Sequence, residues 1–279
     1  MKKQTKRLRR WGLLLAAAGI CAVLLGGCGH TAEPQAESTA QLPVILVGSD
    51  NYPPFNYLDV DGAPTGIDVD LATEAFRRMG YQARFVTIDW EDKKTLVESG
   101  GIDCIWGSFT MDGRADEYTW AGPYMASYQV VAVRTDSDIY TLQDLAGKTL
   151  AVQSTTKPEE LFLEHTDSRL PRLRALYSLQ DRDLIYPTLI KGYVDALAAH
   201  DTAIQQFMTD YSVQYRVLEE PLEVVGLGVA FAKTDDRGIA QQLTRTFEQM
   251  RADGTMREIL AKYLDDPERY LQSLEVSEP

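Results

Sequence analysis

The chain reads as an α/β protein of two lobes, each a mainly parallel sheet flanked by helices. Three observations lead there. From residue 43 onward, short runs of Val, Ile and Leu alternate with helical segments, and a βαβαβ succession sets parallel strands side by side with helices on their faces. A second round of the same layout starts at "QVVAV". The globular part, near residues 42–272, is long enough for one large domain or two small ones.

The leading residues stand outside that fold. Lys2, Lys3, Lys6, Arg7, Arg9 and Arg10 precede a short apolar run from Trp11 to Leu25, then Gly26, Gly27 and Cys28. This is the layout of an export signal over 1–27, too short for a comfortable membrane span. "LLGGC" is similar to the lipobox of bacterial lipoproteins, which makes Cys28 the lipid-bearing residue. The alternative is an uncleaved anchor helix with an incidental cysteine, and the abrupt change to polar sequence after Cys28 favours lipidation. Residues 28–41 then form a flexible tether, since "GHTAEPQAESTAQ" is small, polar and proline-interrupted. Extended, it reaches at most ~45 Å.

Loss of 1–27 removes six cations and moves the net charge from −13 to −19. Such a chain repels phosphate backbones and anionic headgroups, so neither nucleic acid nor a bare anionic lipid surface is an expected partner. Cys104, in "IDCIW", is the remaining thiol and reads as core. The three histidines stand at no metal-ligand spacing, so neither metal nor cofactor is expected.

Strand "VILV" runs into "SDNYPPFNY", where Pro53 and Pro54 stop any ladder and hold three rings in a loop at a strand's C-terminal end. In α/β sheets that edge is where ligands bind, though rings there can equally plug the sheet end. Helix "VDLATEAFRRM" follows, with Asp68 expected as N-cap and Gly80 as stop. Strand "ARFVTI", a helix around 91–98, strand "DCIWGS" and a loop reaching "TWAGPYM" complete the first round. In the second, Thr141 caps "LQDLAG", strand "TLAVQ" enters a helix with Pro158 in its first turn, and strand "RLRALY" precedes "RDLIYPTLIKG", which Pro187 interrupts. Strand "VDALAA", helix "TAIQQFMTDY" and strands "YRVLE" and "EVVGLGVAF" come next. Ile239, Leu243, Phe247 and Met250 recur at helical spacing, and Thr255 with Glu258 predicts a capping box before "ILAKYL".

"YPPF", "GIDVDLATEAF", "GSFTMDGR", "AGPY", "VQSTT", "KGYVDALAA" and "MRADGTMREILAKY" occur in the order found in the family-3 extracytoplasmic solute-binding proteins, which the chain resembles over about residues 42–265. The resemblance implies a type II periplasmic-binding-protein clamshell with two hinge crossings. Lobe one would span 42–126 and 227–272, and lobe two 127–226. It also implies a monomeric, non-enzymatic receptor that hands a small carboxylated solute, most often a polar amino acid, to an ABC transporter permease.

The same resemblance supplies site residues. Tyr52 falls where the family stacks a ring over the ligand, and Trp90 where it sets an apolar cleft wall. Trp106 falls where the family has a small residue, and large rings at both places would narrow the cleft or favour a flat or cationic ligand. Arg114 matches the arginine that grips the ligand carboxylate through two parallel hydrogen bonds, against the plainer reading of a surface pair with Asp112 or Asp116. "GSFTMDGR" is one residue short, so Ser108 and Thr110 offer either hydroxyls or backbone groups. Thr155 and Thr156, before a helix, complete an anion site, which Pro158 weakens by one N–H. At "AAHDT" the family's ammonium-binding aspartate is replaced by His200, with Asp201 next to it. Either Asp201 takes that role, or Asp50 supplies charge from the other lobe, or the ligand lacks an ordinary α-ammonium group. A sensory module for a separate partner and a secreted dehydratase are the alternatives the fold allows.

Overall fold

The computed structural model describes residues 42–165 and 167–272; the expected signal peptide 1–27, lipidation at Cys28 and the tether 28–41 lie outside the described residues. The first half of the chain builds β1 (Val44–Ser49), the small hairpin β2 (Tyr57–Leu58) and β3 (Pro64–Thr65), α1 (Ile67–Arg78), β4 (Gln82–Thr87), α2 (Lys93–Glu98) and β5 (Cys104–Thr110). A long β6 (Thr119–Arg134) leads to β7 (Thr149–Gln153), α3 (Lys157–Glu164), β8 (Ala175–Leu179), α4 (Ile185–Ile190), β9 (Ala196–His200), α5 (Asp201–Tyr211) and β10 (Tyr215–Val217). The chain returns along β11 (Glu223–Phe231) and ends in α6 (Ile239–Ala252), α7 (Thr255–Leu260) and α8 (Pro267–Gln272).

The α/β expectation holds, with a division of labour in the pairing. The main sheet runs β4-β1-β5-β11-β6-β9-β7-β8, with β10 beside β6. Its two ends are parallel trios, β4-β1-β5 and β9-β7-β8. Between them β11 and β6 are antiparallel to each other and to their neighbours. Parallel strands need crossover helices, which is why each trio is covered on its faces by helices of its own half.

Two apolar clusters pack against each half. In the first, Trp106, Phe76, Tyr124 and Phe247 lock α1 and α6 onto one face, while Ile102, Ile105, Phe109 and Tyr118 fill the other. In the second, Val131, Val152, Leu161 and Phe162 lie on one face and Ile185, Tyr186, Leu189 and Ile204 on the opposite one.

Local details depart from the sequence reading, three of them around the first half's strands and helices. "TWAGPYM" is part of β6 rather than a loop. Pro123 sits where the register with β11 shifts, between Ala121↔Val229 and Met125↔Leu227, so its missing N–H interrupts no regular ladder. Asp68 is not an N-cap. Gly66 holds that position, and the buried Asp68 carboxylate turns inward to β5 and β6. The final capping box also fails, because Gly254 is the N-cap of α7 and the Thr255 hydroxyl accepts from Arg78 instead.

Trp106 is fully buried, with its ring 5.4 Å from Phe247 and 5.9 Å from Phe76. Trp106→Ala should cost about 3–5 kcal/mol. Urea denaturation checks this, and a loss under ~1 kcal/mol would contradict the placement.

Candidate functional site

Every parallel strand ends, at its C-terminal tip, in residues that face one cavity between the two halves. The first half contributes Tyr52 beyond β1, Trp90 beyond β4, Gly107–Thr110 at the end of β5, and Arg114 in the following turn. The second contributes Gln153 and Thr155–Pro158 from the β7–α3 junction, Arg182 and Ile185 beyond β8, and Ala198–His200 at the end of β9. Gln129 of β6 closes the set. The strands point here because crossover helices leave a crevice beyond the carboxyl ends of parallel strands. The space is tight, with water-sized spheres able to centre in ≈ 30 Å³. Gly107 keeps its wall thin: a Cβ there would lie 2.2 Å from the Ser49 Oγ and 3.4 Å from the Trp90 ring.

The charged lining is cationic. Arg182 lies over the Tyr52 ring, its guanidinium carbon 3.2 Å from the ring centre, and donates to Asp50 at 3.1 Å. Arg114 donates from Nη2 to Glu160 of α3 at 2.7 Å, and Lys157 reaches the other oxygen of that carboxylate at 2.8 Å. Just behind the lining, Lys93 donates to the Thr155 hydroxyl at 2.8 Å and to the Trp90 carbonyl at 3.0 Å. Burial, with Arg114 adding to it, brings the Lys93 ammonium down to about 8. Further bonds join the halves outside the cavity: Gln153 to Asp50, Ser154 to Glu91, Gln180 to Asp89 and Asn51 to Asp183.

Two lining residues are held in left-handed backbone, Ser108 at φ 47 and Thr155 at φ 55. The two other described non-glycine residues with positive φ, His165 and Ser212, are helix C-caps, where that conformation is ordinary. Ser108 is fixed by its N–H, which donates to Asp68 Oδ2 at 2.7 Å, while Tyr124 donates to Asp68 Oδ1 at 2.8 Å. A buried carboxyl therefore braces the cavity floor from behind.

Of the residues expected from sequence, Tyr52, Trp90, Ser108, Thr110, Arg114, Thr155, Thr156 and His200 converge on this cavity. Three do not. Trp106 faces the core between α1 and α6 and cannot narrow the cleft. Asp201 opens α5 and points away, accepting from Tyr270 at 3.0 Å and lying 3.5 Å from Arg269. Asp50 lies beside the cavity rather than in it, lining a neighbouring opening with Asp89, Asp181 and Asp183. Other expectations change in kind. The Tyr52 ring is covered by Arg182. Arg114 pairs with Glu160, not with Asp112, which accepts instead from Gly226 N–H. The Thr155 N–H donates to Glu159 at 2.6 Å, and the Thr156 hydroxyl donates back to the Gln153 carbonyl, so the chain itself occupies part of the α3 terminus. Sequence reasoning missed Gln129, Gln153, Lys157 and Arg182. The strand-end rule, applied to β7 and β8 as it was to β1, would have found three of them.

Residues 44–266 match the family described as bacterial extracellular solute-binding proteins, family 3, and the chain belongs to it. It is 30% identical over 231 residues to the histidine-binding periplasmic protein of Escherichia coli (strain K12), covering 79% of this chain and 87% of that one. With the glutamate-binding protein GluB of Corynebacterium glutamicum it shares 27% identity over 281 residues, covering 92% and 91%. Among solved structures, it is similar to the substrate binding protein of an amino acid ABC transporter, with TM-score 0.71 and 25% identity over 80% of this chain and 99% of that one.

Burial raises the Asp68 carboxyl from 3.8 to about 7, so folded protein keeps a proton that the unfolded chain gives up. Its stabilisation is complete below about pH 4 and is lost as pH rises through about 7. His200 works the other way. Burial, reinforced by Arg182, lowers it from 6.5 to about 3, so its contribution is complete above pH 6.5 and falls as pH drops. Asp68→Asn can keep both bonds, with Oδ1 accepting from Ser108 and Nδ2 donating to the Tyr124 oxygen. In urea titrations the stability of the native protein relative to this variant should fall between pH 4 and pH 7. A difference independent of pH would show that Asp68 carries no such proton.

Proposed function

We propose that the protein is the extracytoplasmic receptor of an ABC importer, capturing a small carboxylated solute, a polar amino acid or a related compound, between its two halves. The observation that carries this is Arg114, 11% exposed, which lines the cavity opposite the start of α3. A guanidinium has five N–H donors. One goes to Glu160, and a second makes a long 3.4 Å contact with the Thr110 carbonyl. The remainder can grip a carboxylate, at about 1.5–3 kcal/mol per charged hydrogen bond. Family membership and relatives whose names specify histidine and glutamate support the solute class.

In this reading the lobes are 42–126 with 227–272, and 127–226, hinged where β6 and β11 cross. Solute bridges them and shifts the population towards a closed form that the permease recognises. The working unit is a monomer tethered through Cys28. Its role is binding and release without chemistry on the solute. His200, the cavity's one imidazole, is neutral and held by Ser127 and Gln129.

Arg114→Lys replaces the planar fork by a point charge and should weaken carboxylate binding on the order of tenfold or more. Glu160 keeps Lys157 as partner, so the fold should survive. Calorimetric titration against a panel of amino acids and small acids measures the change. Unaltered affinity in the variant would remove Arg114 from the site. A bound solute at one hundred times its Kd should add about 2.7 kcal/mol of stability.

A further inference from the structure

We infer that the cavity takes an organic acid whose second polar end carries oxygen functions, carboxylate, hydroxyl or oxo, and no ammonium group. This rests on the receptor reading above and narrows its solute class. A zwitterionic α-amino acid needs a negative acceptor for its ammonium end. Among the described residues lining the cavity, none is Asp or Glu, whereas Arg114, Lys157 and Arg182 are all cations.

The nearby carboxylates stand behind these cations. Glu160 is shared by Arg114 and Lys157, and Asp50 is held through Oδ2 by Arg182 and Gln153 in the adjacent opening, its buried Oδ1 being left without a protein partner there. Asp201, at the tip of β9, is turned to Tyr270. The wall that β9 presents is His200, 6% exposed, whose Nδ1 lies 2.8 Å from the Ser127 hydroxyl and whose Nε2 lies 3.1 Å from the Gln129 amide. It is a neutral ring against Tyr52 and Phe55, with centroids 5.8 and 5.7 Å away.

A second observation points the same way. Four buried polar atoms on lining residues have no protein partner: Trp90 Nε1, Ser108 Oγ, Gln129 Oε1 and Gln153 Oε1. Buried polar groups are normally satisfied, so these await a ligand's bonds. The indole N–H and the serine hydroxyl can donate to acid oxygens, and the amide oxygens can accept from a hydroxyl. All four are neutral. An ammonium placed here would meet cations on several sides and otherwise only neutral groups, the amide oxygens and the Trp90 and Phe109 rings, with no negative charge.

Matched solutes test this on the native protein after exhaustive dialysis. Calorimetric titration compares glutarate with L-glutamate and L-malate with L-aspartate, pairs that differ in the amino group. The member without nitrogen should bind at least tenfold tighter in each pair. If the amino acids bind as tightly or more tightly, the inference is overturned while the receptor reading stands. If none of the four binds, both fail. His200→Asp places a carboxylate in the wall and should shift the ratio at least tenfold towards the amino acids, whereas the neutral His200→Asn should not. An unchanged ratio in His200→Asp, or an equal shift in both variants, overturns the assignment of this selectivity to missing negative charge.

Discussion

A single antiparallel ribbon, β6 against β11, is the constraint on which the rest of the molecule depends. Among the described strands these two alone link the parallel trios, β11 pairing with β5 on one side and β6 with β9 on the other. Each half buries most of its apolar faces in clusters of its own, with Ala203 of α5 reaching into the first half's cluster. The strand tips of both halves therefore confront each other across a gap that the ribbon spans and the cores do not fill. Side chains close it, and most of the contacts are polar. Exposed pairs of this kind contribute about 0–1 kcal/mol each. Arg182 with Asp50, at 8% and 12% exposed, and Arg114 with Glu160, at 11% and 27%, are more buried than that.

Arg182 changes what the aromatic loop can do. "SDNYPPFNY" delivers the Tyr52 ring to the gap, yet the ring's face is already stacked by a guanidinium from the opposite half. A solute entering here meets a cation backed by a ring. The same substitution of roles recurs at α3, where Glu159 and Glu160 satisfy groups that would otherwise face a ligand. The chain's own acids and cations thus set the charge of the cavity, and the neutral His200 leaves that charge without a negative counterpart in the wall.

The fold was legible because alternating apolar runs and helices leave few α/β arrangements, and because prolines and glycines mark where strands stop. Tyr52, Arg114 and His200 were legible through the family resemblance, and each lies at or a few residues beyond the C-terminal end of a strand. Trp106 was not. All seven residues of β5 are buried, both faces being covered, so alternation gives no hint of which face a side chain takes. The adjacent acids Asp201 and Asp50 depended on one-residue differences in direction at a strand end, which composition does not encode. Arg182 is less legible because "RLRALY" stops two residues short of the strand's true end. The strand is Ala175–Leu179, and its tip falls three residues before Arg182. β6 was cut short in the reading by Gly122-Pro123, which the bulge opposite β11 accommodates.

Distance measurement between the halves probes the ribbon-and-gap arrangement most directly. Spin labels at Leu58 and Tyr193, both exposed and on opposite halves, leave the buried Cys104 untouched. Pulsed dipolar spectroscopy should give a distribution that shortens or narrows when a stabilising carboxylate is added at saturation. A distribution identical with and without such a solute would contradict a gap that closes on its ligand.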